Sequence, residues 1–195
     1  HLFKEFVRFV DVIKPKVFLM ENVASLATHN RGKSLKEIIK AFENINYDVV
    51  YKVLNAADYG VPQERRRIFI IGTYNQKNTF IFPKEIPTRL TIFDAIEDLP
   101  PLKSGEESTS IPNHKAMNHT KQMLDKMSYV TDGGDRTQIP EHLRPKSGDA
   151  RKYIRYNSKK PAPTVTGDMR KIFHYKQNRA LTPRELARLQ SFPDS

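Results

Sequence analysis

Pro62-Gln63-Glu64-Arg65-Arg66-Arg67-Ile68-Phe69-Ile70-Ile71-Gly72 is the stretch on which the fold turns. Three arginines run straight into an apolar, β-branched segment that predicts a buried strand. Guanidinium groups are thereby fixed at the edge of a sheet, where simple folding does not require them. The planar fork of arginine suits phosphate or the acceptor edge of a base, because it makes paired hydrogen bonds. A second stretch, Val17-Phe18-Leu19-Met20-Glu21-Asn22-Val23, predicts an apolar strand that delivers a carboxylate and an amide at its carboxyl end. Open α/β sheets hold their ligands at that end.

Working outward, Leu2, Phe6, Phe9, Val10 and Ile13 fall on one helical face, and Lys14-Pro15-Lys16 ends that helix. Asn30-Arg31-Gly32 predicts a loop. Ser34-x-x-Glu37 has the form of a capping box, opening a helix with Leu35, Ile38, Ile39, Phe42 and Ile45 inward. Residues 47–54 and 68–72 predict two further strands. Helix, strand, helix and two strands make an α/β half-sheet.

Beyond Tyr74 the character changes. Nine of the 13 prolines lie between residues 74 and 178, and turn markers such as Pro100-Pro101 and Asp132-Gly133-Gly134 are frequent. Phe80, Phe82, Ile92, Phe93, Ile96 and Leu99 supply enough apolar surface for a folded, loop-rich lobe. Near the carboxyl end, Thr182, Pro183 and Glu185 fit the N-cap, first-turn and reciprocal cap positions of a helix.

The chain carries 33 Lys and Arg against 22 Asp and Glu, a formal charge of +11. Such a surplus attracts polyanions, with an affinity that falls as salt rises. Residues 144–171 concentrate it, with nine basic residues against two aspartates and with Tyr153, Ile154 and Tyr156 interleaved. Basic residues among aromatics are the composition of a nucleic-acid surface, though also of a solvated charged face. With no cysteine, disulfides and thiolate metal sites are excluded. The six histidines show no ligand spacing, so no metal site is expected. No apolar run approaches the roughly 20 residues of a membrane span.

The order Glu21-Asn22-Val23, then Gln63-x-Arg65-x-Arg67, then Arg179-Ala180-Leu181-Thr182-Pro183-Arg184-Glu185-Leu186-Ala187-Arg188-Leu189-Gln190-Ser191-Phe192-Pro193 resembles the DNA cytosine-5 methyltransferase family. The resemblance covers most of residues 2–73 and 161–195, with a long variable insert before the last block. It implies a fold of α/β class: half of a Rossmann-like methyltransferase sheet with a small, loop-rich, mostly β target-recognition lobe. The expected boundaries are 1–73 for the catalytic α/β part, 74–178 for the recognition lobe and 179–195 for a helix returning to the domain interface.

The chemistry implied by the resemblance is methyl transfer from S-adenosylmethionine to C5 of a cytosine flipped out of a duplex. The family adds a cysteine thiolate to C6, which a carboxyl group at N3 makes easier. By resemblance Glu21 is that carboxyl group, and Arg67 holds the cytosine O2 and the glutamate. Arg65 is a companion arginine securing the backbone nearby, and Asn22 shapes the loop under Glu21. Gln63 fixes the turn or reaches the surroundings of the target. Thr164 and Val165, in Pro163-Thr164-Val165-Thr166, resemble the lobe's Thr-(Leu/Val) doublet near the flipped base. Arg136, Arg151, Arg155 and Arg170 are DNA-contacting candidates by residue type. Taken singly, a strand-end glutamate is also met as a solvated residue, and arginines before a strand as salt-bridge partners.

The sequence departs from the family pattern at two places. It has no Pro-Cys nucleophile, and no two of its eight glycines stand as the Gly-x-Gly of a cofactor loop. His1-Leu2-Phe3-Lys4-Glu5-Phe6 resembles the middle of the family's fifth motif, which leaves Leu2 as the one weak cofactor contact. The expectation is the second half of a catalytic domain, with the complementary amino-terminal half as partner beside duplex DNA. The resemblance implies a bacterial, cytoplasmic, nucleoid-associated restriction–modification enzyme. A non-catalytic DNA-binding subunit or truncated remnant remains the alternative, and an unrelated RNA-binding protein has the charge alone behind it.

Overall fold

The computed structural model describes residues 2–145, 152–167 and 169–194. Two units separate along the chain: residues 1–55 with 66–85, and residues 56–65 with 86–195.

The first unit opens with α1 (Leu2–Ile13). Its Phe3, Phe6, Val7 and Val10 pack inward. The helix stops where Lys14 turns to a φ of 48° and donates its N–H to the Val10 carbonyl at 2.8 Å, ahead of Pro15. β1 (Val17–Val23) alternates, burying Phe18 and Met20 and leaving Val17, Leu19 and Val23 about half-exposed. It is thus half-buried, although the apolar run Val17–Met20 by itself predicts a buried strand.

α2 (Lys33–Glu43) buries Leu35, Ile38 and Phe42. The expected capping box is absent. Asn30, Arg31 and Gly32 are all left-handed, so the helix opens at Lys33 behind a glycine N-cap, without a side-chain cap. The Ser34 hydroxyl instead bonds His29 Nδ1 at 2.7 Å.

β2 (Tyr47–Asn55) and β4 (Arg66–Tyr74) complete a three-stranded sheet in the order β1-β4-β2. β4 runs antiparallel to both neighbours, so β1 and β2 are parallel to each other, with α2 as their crossover. This explains an asymmetry of the sequence. Glu21 lies near the finish of its strand while Arg67 begins one, yet both lie at one end of the sheet. The register pairs Val23 with Arg67 on one side and Leu54 with Arg67 on the other.

Between sheet and helices, Phe18 lies 4.2 Å from Phe42 ring to ring, with Phe6 edge-on to both. Gly72 is required here: a Cβ would stand 2.2 Å from the Phe18 ring.

The second unit contains α3 (Ile92–Ile96), α4 (Lys121–Tyr129) and α5 (Pro183–Arg188). α5 carries the expected Thr182–Glu185 capping box. Strands are minimal: β3 (Gln63–Glu64) pairs with β6 (Ala162–Pro163), and β5 (Ile154–Arg155) with β7 (Ile172–Phe173), both parallel. The expectation of a mostly β lobe is therefore corrected. Each ladder is two residues long, in a region whose prolines withdraw backbone donors. One core gathers Ile92, Ile96, Leu99, Tyr156, Ala162 and Leu189; another gathers Met127, Val130, Ile139 and Phe173.

The expected boundaries shift as well. Residues 56–65 group with the second unit because β3 pairs β6. Residues 74–85 stay with the first, where Asn78 donates to the Ile71 and Asp48 carbonyls at 2.9 and 3.2 Å. Residues 179–195 are no separate returning element, since Leu181 and Leu189 are buried in the second unit's core. Among the described residues no helix is long and apolar enough to cross a membrane, and no cluster of three His, Asp or Glu is placed to hold a metal.

Candidate functional site

In the first unit, Glu21 and Arg67 form an ion pair, Arg67 Nε standing 2.8 Å from Glu21 Oε1. The geometry follows from the register. Glu21 faces Phe69 and Arg67 faces Val23, so the two are diagonal neighbours on one face, a separation that long side chains bridge. Arg67 is mostly buried and also donates from Nη1 to the Arg66 carbonyl at 2.8 Å; Glu21 is half-exposed. A guanidinium braced by its own backbone thus holds a carboxyl group that solvent reaches. Asn22 ends the strand: its side-chain oxygen accepts the Val23 N–H at 2.8 Å, ahead of the 3-10 turn at Ala24–Ala27.

In the second unit, the segment leading to the arginines is stitched to the Thr164 segment. Ala162 N–H donates to the Pro62 carbonyl at 2.9 Å, and Thr164 Oγ1 to the Glu64 carbonyl at 2.7 Å. Arg89 pairs with Asp58 and, at 3.0 Å, with Glu64. Two distant sequence features, Gln63-x-Arg65 and Thr164-Val165, are therefore neighbours. The Arg65 carbonyl accepts the Ala56 N–H at 3.0 Å, closing the loop between β2 and β3. Val165 packs on the core.

Two expected DNA contacts are corrected. Gln63 is 0% exposed, and its Nε2 donates to the Leu189 carbonyl at 3.2 Å, so the side chain ties its segment to the end of α5 and does not reach outward. Arg155 is 5% exposed. Its guanidinium donates to the carbonyls of Val130, Met127, Gln177 and His174 and to Asn178 Oδ1, which leaves no donor for a phosphate. Arg170 is exposed, and Arg151 lies outside the described residues. Leu2 is 89% exposed at the start of α1.

A buried polar scaffold went unread in the sequence. Arg179 makes a two-pronged bond to Glu185, with Nη1 to Oε2 at 2.8 Å and Nη2 to Oε1 at 2.6 Å. Burial pushes the Glu185 carboxyl up, but the Arg179 bonds outweigh it and hold the group below its ordinary range. His174 Nδ1 accepts the Lys176 and Gln177 N–H groups at 3.0 Å, so its proton sits on Nε2, 3.7 Å from Glu185. Burial drives that imidazole down to about 4, helped by Arg179 and Arg155 and opposed by Glu185. His114 Nε2 donates to the Pro100 carbonyl at 2.8 Å, and its Nδ1 takes the Thr182 hydroxyl at 3.0 Å. A cap residue beside buried arginine and histidine was the available signal.

The mixed α/β fold is shared with a crystal structure described as a candidate DNA modification methyltransferase encoded within an E. coli prophage. The match covers 97% of this chain and 62% of that one, with a TM-score of 0.70 at 21% identity. That likeness establishes the mixed α/β fold. All of residues 1–195 match the family model of C-5 cytosine-specific DNA methylase, and the chain belongs to that family. It is 61% identical to the Type II methyltransferase M1.HphI of Haemophilus parahaemolyticus over 195 residues, all of this chain and 52% of that protein. It is 37% identical to the Type II methyltransferase M.DdeI of Desulfomicrobium norvegicum and 36% identical to M.NgoFVII of Neisseria gonorrhoeae. Those matches span all of this chain and 57% and 54% of the relatives. The chain thus spans about half the length of the curated relatives it matches.

Proposed function

We propose that the chain supplies the base-holding residues and the recognition lobe of a Type II DNA cytosine-5 methyltransferase, acting on a flipped cytosine in duplex DNA. The observation that carries this reading is the Glu21–Arg67 pair at the ligand-binding end of the sheet. A carboxyl group there donates to cytosine N3 and draws electrons from C6, opening it to a nucleophile. The braced guanidinium takes O2 and offsets the charge that develops on the ring. Arg65 secures the nucleic-acid backbone, Asn22 shapes the loop, and Thr164, Val165 and Arg170 belong to the part of the lobe that meets DNA. Such an enzyme acts on the chromosome, in the bacterial cytoplasm.

S-adenosylmethionine is the methyl donor that the family implies. The described residues do not fit it: Leu2 is splayed into solvent, and no Gly-x-Gly run exists. The donor site and the thiolate are assigned to a complementary amino-terminal half. In support of a sheet that continues as a Rossmann-like one, β1 has no partner on its outer edge among the described residues. Val17, Leu19 and Val23 on that strand, with Phe9, Val12 and Ile13 of α1, remain exposed. An apolar edge strand of this kind is a template for pairing with another segment.

Labelled S-adenosylmethionine and duplex DNA test the assignment. The chain alone is expected to transfer no methyl group, and the chain mixed with the amino-terminal half of the H. parahaemolyticus relative is expected to transfer it. Turnover by the isolated chain would show the division of labour to be wrong. A non-catalytic DNA-binding subunit is the second reading, favoured by the absence of cysteine; duplex binding by the mixture without transfer would establish it.

A further inference from the structure

We propose that Tyr153, Lys126 and Lys171 form a grip for the sugar–phosphate backbone of duplex DNA. The proposal rests on the DNA-binding part of the function above and names where the second unit takes hold. The basic, aromatic-rich stretch around residues 144–171 is sorted by burial. Arg155 is spent on backbone carbonyls, and Tyr156 is buried with its hydroxyl pushed up to about 12. Tyr153 goes another way. Its φ is 60°, left-handed and uncommon for a bulky residue, a strain that a folded chain retains where the position is otherwise determined.

The ring stands edge-on to Phe173, with centroids 6.4 Å apart at 85°, so one side is anchored in the core of Met127, Val130 and Ile139. Two lysines converge on it from different elements. Lys126, in the last turn of α4, places Nζ 5.8 Å from the ring centroid. Lys171, just before β7, places Nζ at 4.9 Å. Among the described residues neither lysine has a carboxylate partner.

A ring face attracts one cation well. A second ammonium on the same ring repels the first, and the arrangement is relieved by an anion that both can share. Both lysines are partly exposed, so their ammonium groups reach solvent. A phosphodiester meets this chemistry with charge for the ammonium groups and an acceptor for the tyrosine hydroxyl. Tyr153 N–H donates to the Lys171 carbonyl at 2.8 Å, and Met127, next to Lys126 on α4, packs in the same core as Phe173, against which Tyr153 lies. The grip is therefore preformed.

Fluorescence anisotropy of the whole chain with a labelled duplex, over a series of KCl concentrations, tests this. The pair Lys126→Gln with Lys171→Gln is compared with Lys36→Gln with Lys40→Gln, which removes the same charge from exposed positions of α2. The grip pair should flatten the slope of log K against log salt by about 0.9, the contribution of the one phosphate contact that the two ammonium groups share. The control pair should change it much less. Tyr153→Leu keeps apolar packing but removes the ring, and should weaken binding while thermal unfolding stays cooperative. If the wild-type slope is steep and the grip pair matches the control, the grip is wrong while DNA binding stands. A flat wild-type slope overturns both. Displacement by polyglutamate as efficient as by unlabelled duplex would show mere charge attraction and sink the phosphate assignment.

Discussion

Glu21 and Arg155 show how residue type and residue role part company. Both were candidates for contact with nucleic acid by the company they keep in the sequence. Glu21 sits half-open at one end of the sheet against one braced arginine, so it keeps a carboxyl group that a base can meet. In the reassembled enzyme, Glu21→Gln retains the shape but cannot protonate N3. Its single-turnover rate should fall by a factor on the order of 10²–10⁴, with DNA affinity nearly unchanged. An unchanged rate with collapsed binding would make Glu21 a structural residue. Arg155 is the opposite case. Five donors meet four carbonyls and one amide oxygen in a buried setting. Arg155→Met should therefore cost roughly 3 kcal/mol or more in urea unfolding, because buried acceptors lose charged partners. A variant as stable as wild type that bound DNA poorly would restore Arg155 to the interface.

Among the elements, those of the first unit were legible because each has one period and one buried face. The 3.6-residue spacing of α2 survives translation into structure, whereas in α1 only Phe6 and Val10 of the expected face pack inward while Leu2, Phe9 and Ile13 are exposed, and β1 alternates where its apolar run predicts burial. What the sequence could not settle was the direction of β4 relative to β1, since an apolar run carries no orientation. The start of α2 was misplaced because three left-handed residues, not a hydroxyl, shape its entry. The second unit was legible only at its caps. Its cores collect single residues from far along the chain, and its two ladders are too short to leave a period. Gly72 tests the element packing of the first unit. Its missing Cβ makes room for Phe18, which is held by Phe6, Phe42 and Tyr47. Gly72→Ala should cost on the order of 1–3 kcal/mol through overpacking. A melting temperature equal to wild type would mean that the aromatic cluster yields more readily than a close-packed core does.

The whole molecule carries a charge pattern with two separate purposes. Lysines at the surface are available to a polyanion, while arginines 155, 179 and 184 are buried and replace the regular sheet that the second unit lacks. Composition alone could not divide them, since a net +11 counts both alike. The buried set has a consequence for stability against pH. His174 is neutral in the folded chain, with a pKa near 4 caused by burial, by Arg179 and by Arg155, and opposed by Glu185. In the unfolded chain it titrates near 6.5. A depressed folded pKa means that the unfolded state takes up the proton first. The histidine's contribution is therefore complete above pH 6.5 and is lost as pH falls from there towards 4. His119, lowered by burial and by Arg179, acts in the same direction. Between pH 6.5 and 5 His174 alone should remove about 2 kcal/mol, at about 1.4 kcal/mol for each pH unit. Urea unfolding midpoints across that interval measure the total. His174→Asn keeps an acceptor for the Lys176 and Gln177 N–H groups and should flatten the dependence. The proton resonance of the His174 ring should stay constant down to pH 5 in the folded chain. A ring that titrates near 6.5 there, or a variant with the full acid sensitivity, would mean that the buried scaffold admits a charged imidazole and that its arginines do not set the balance described.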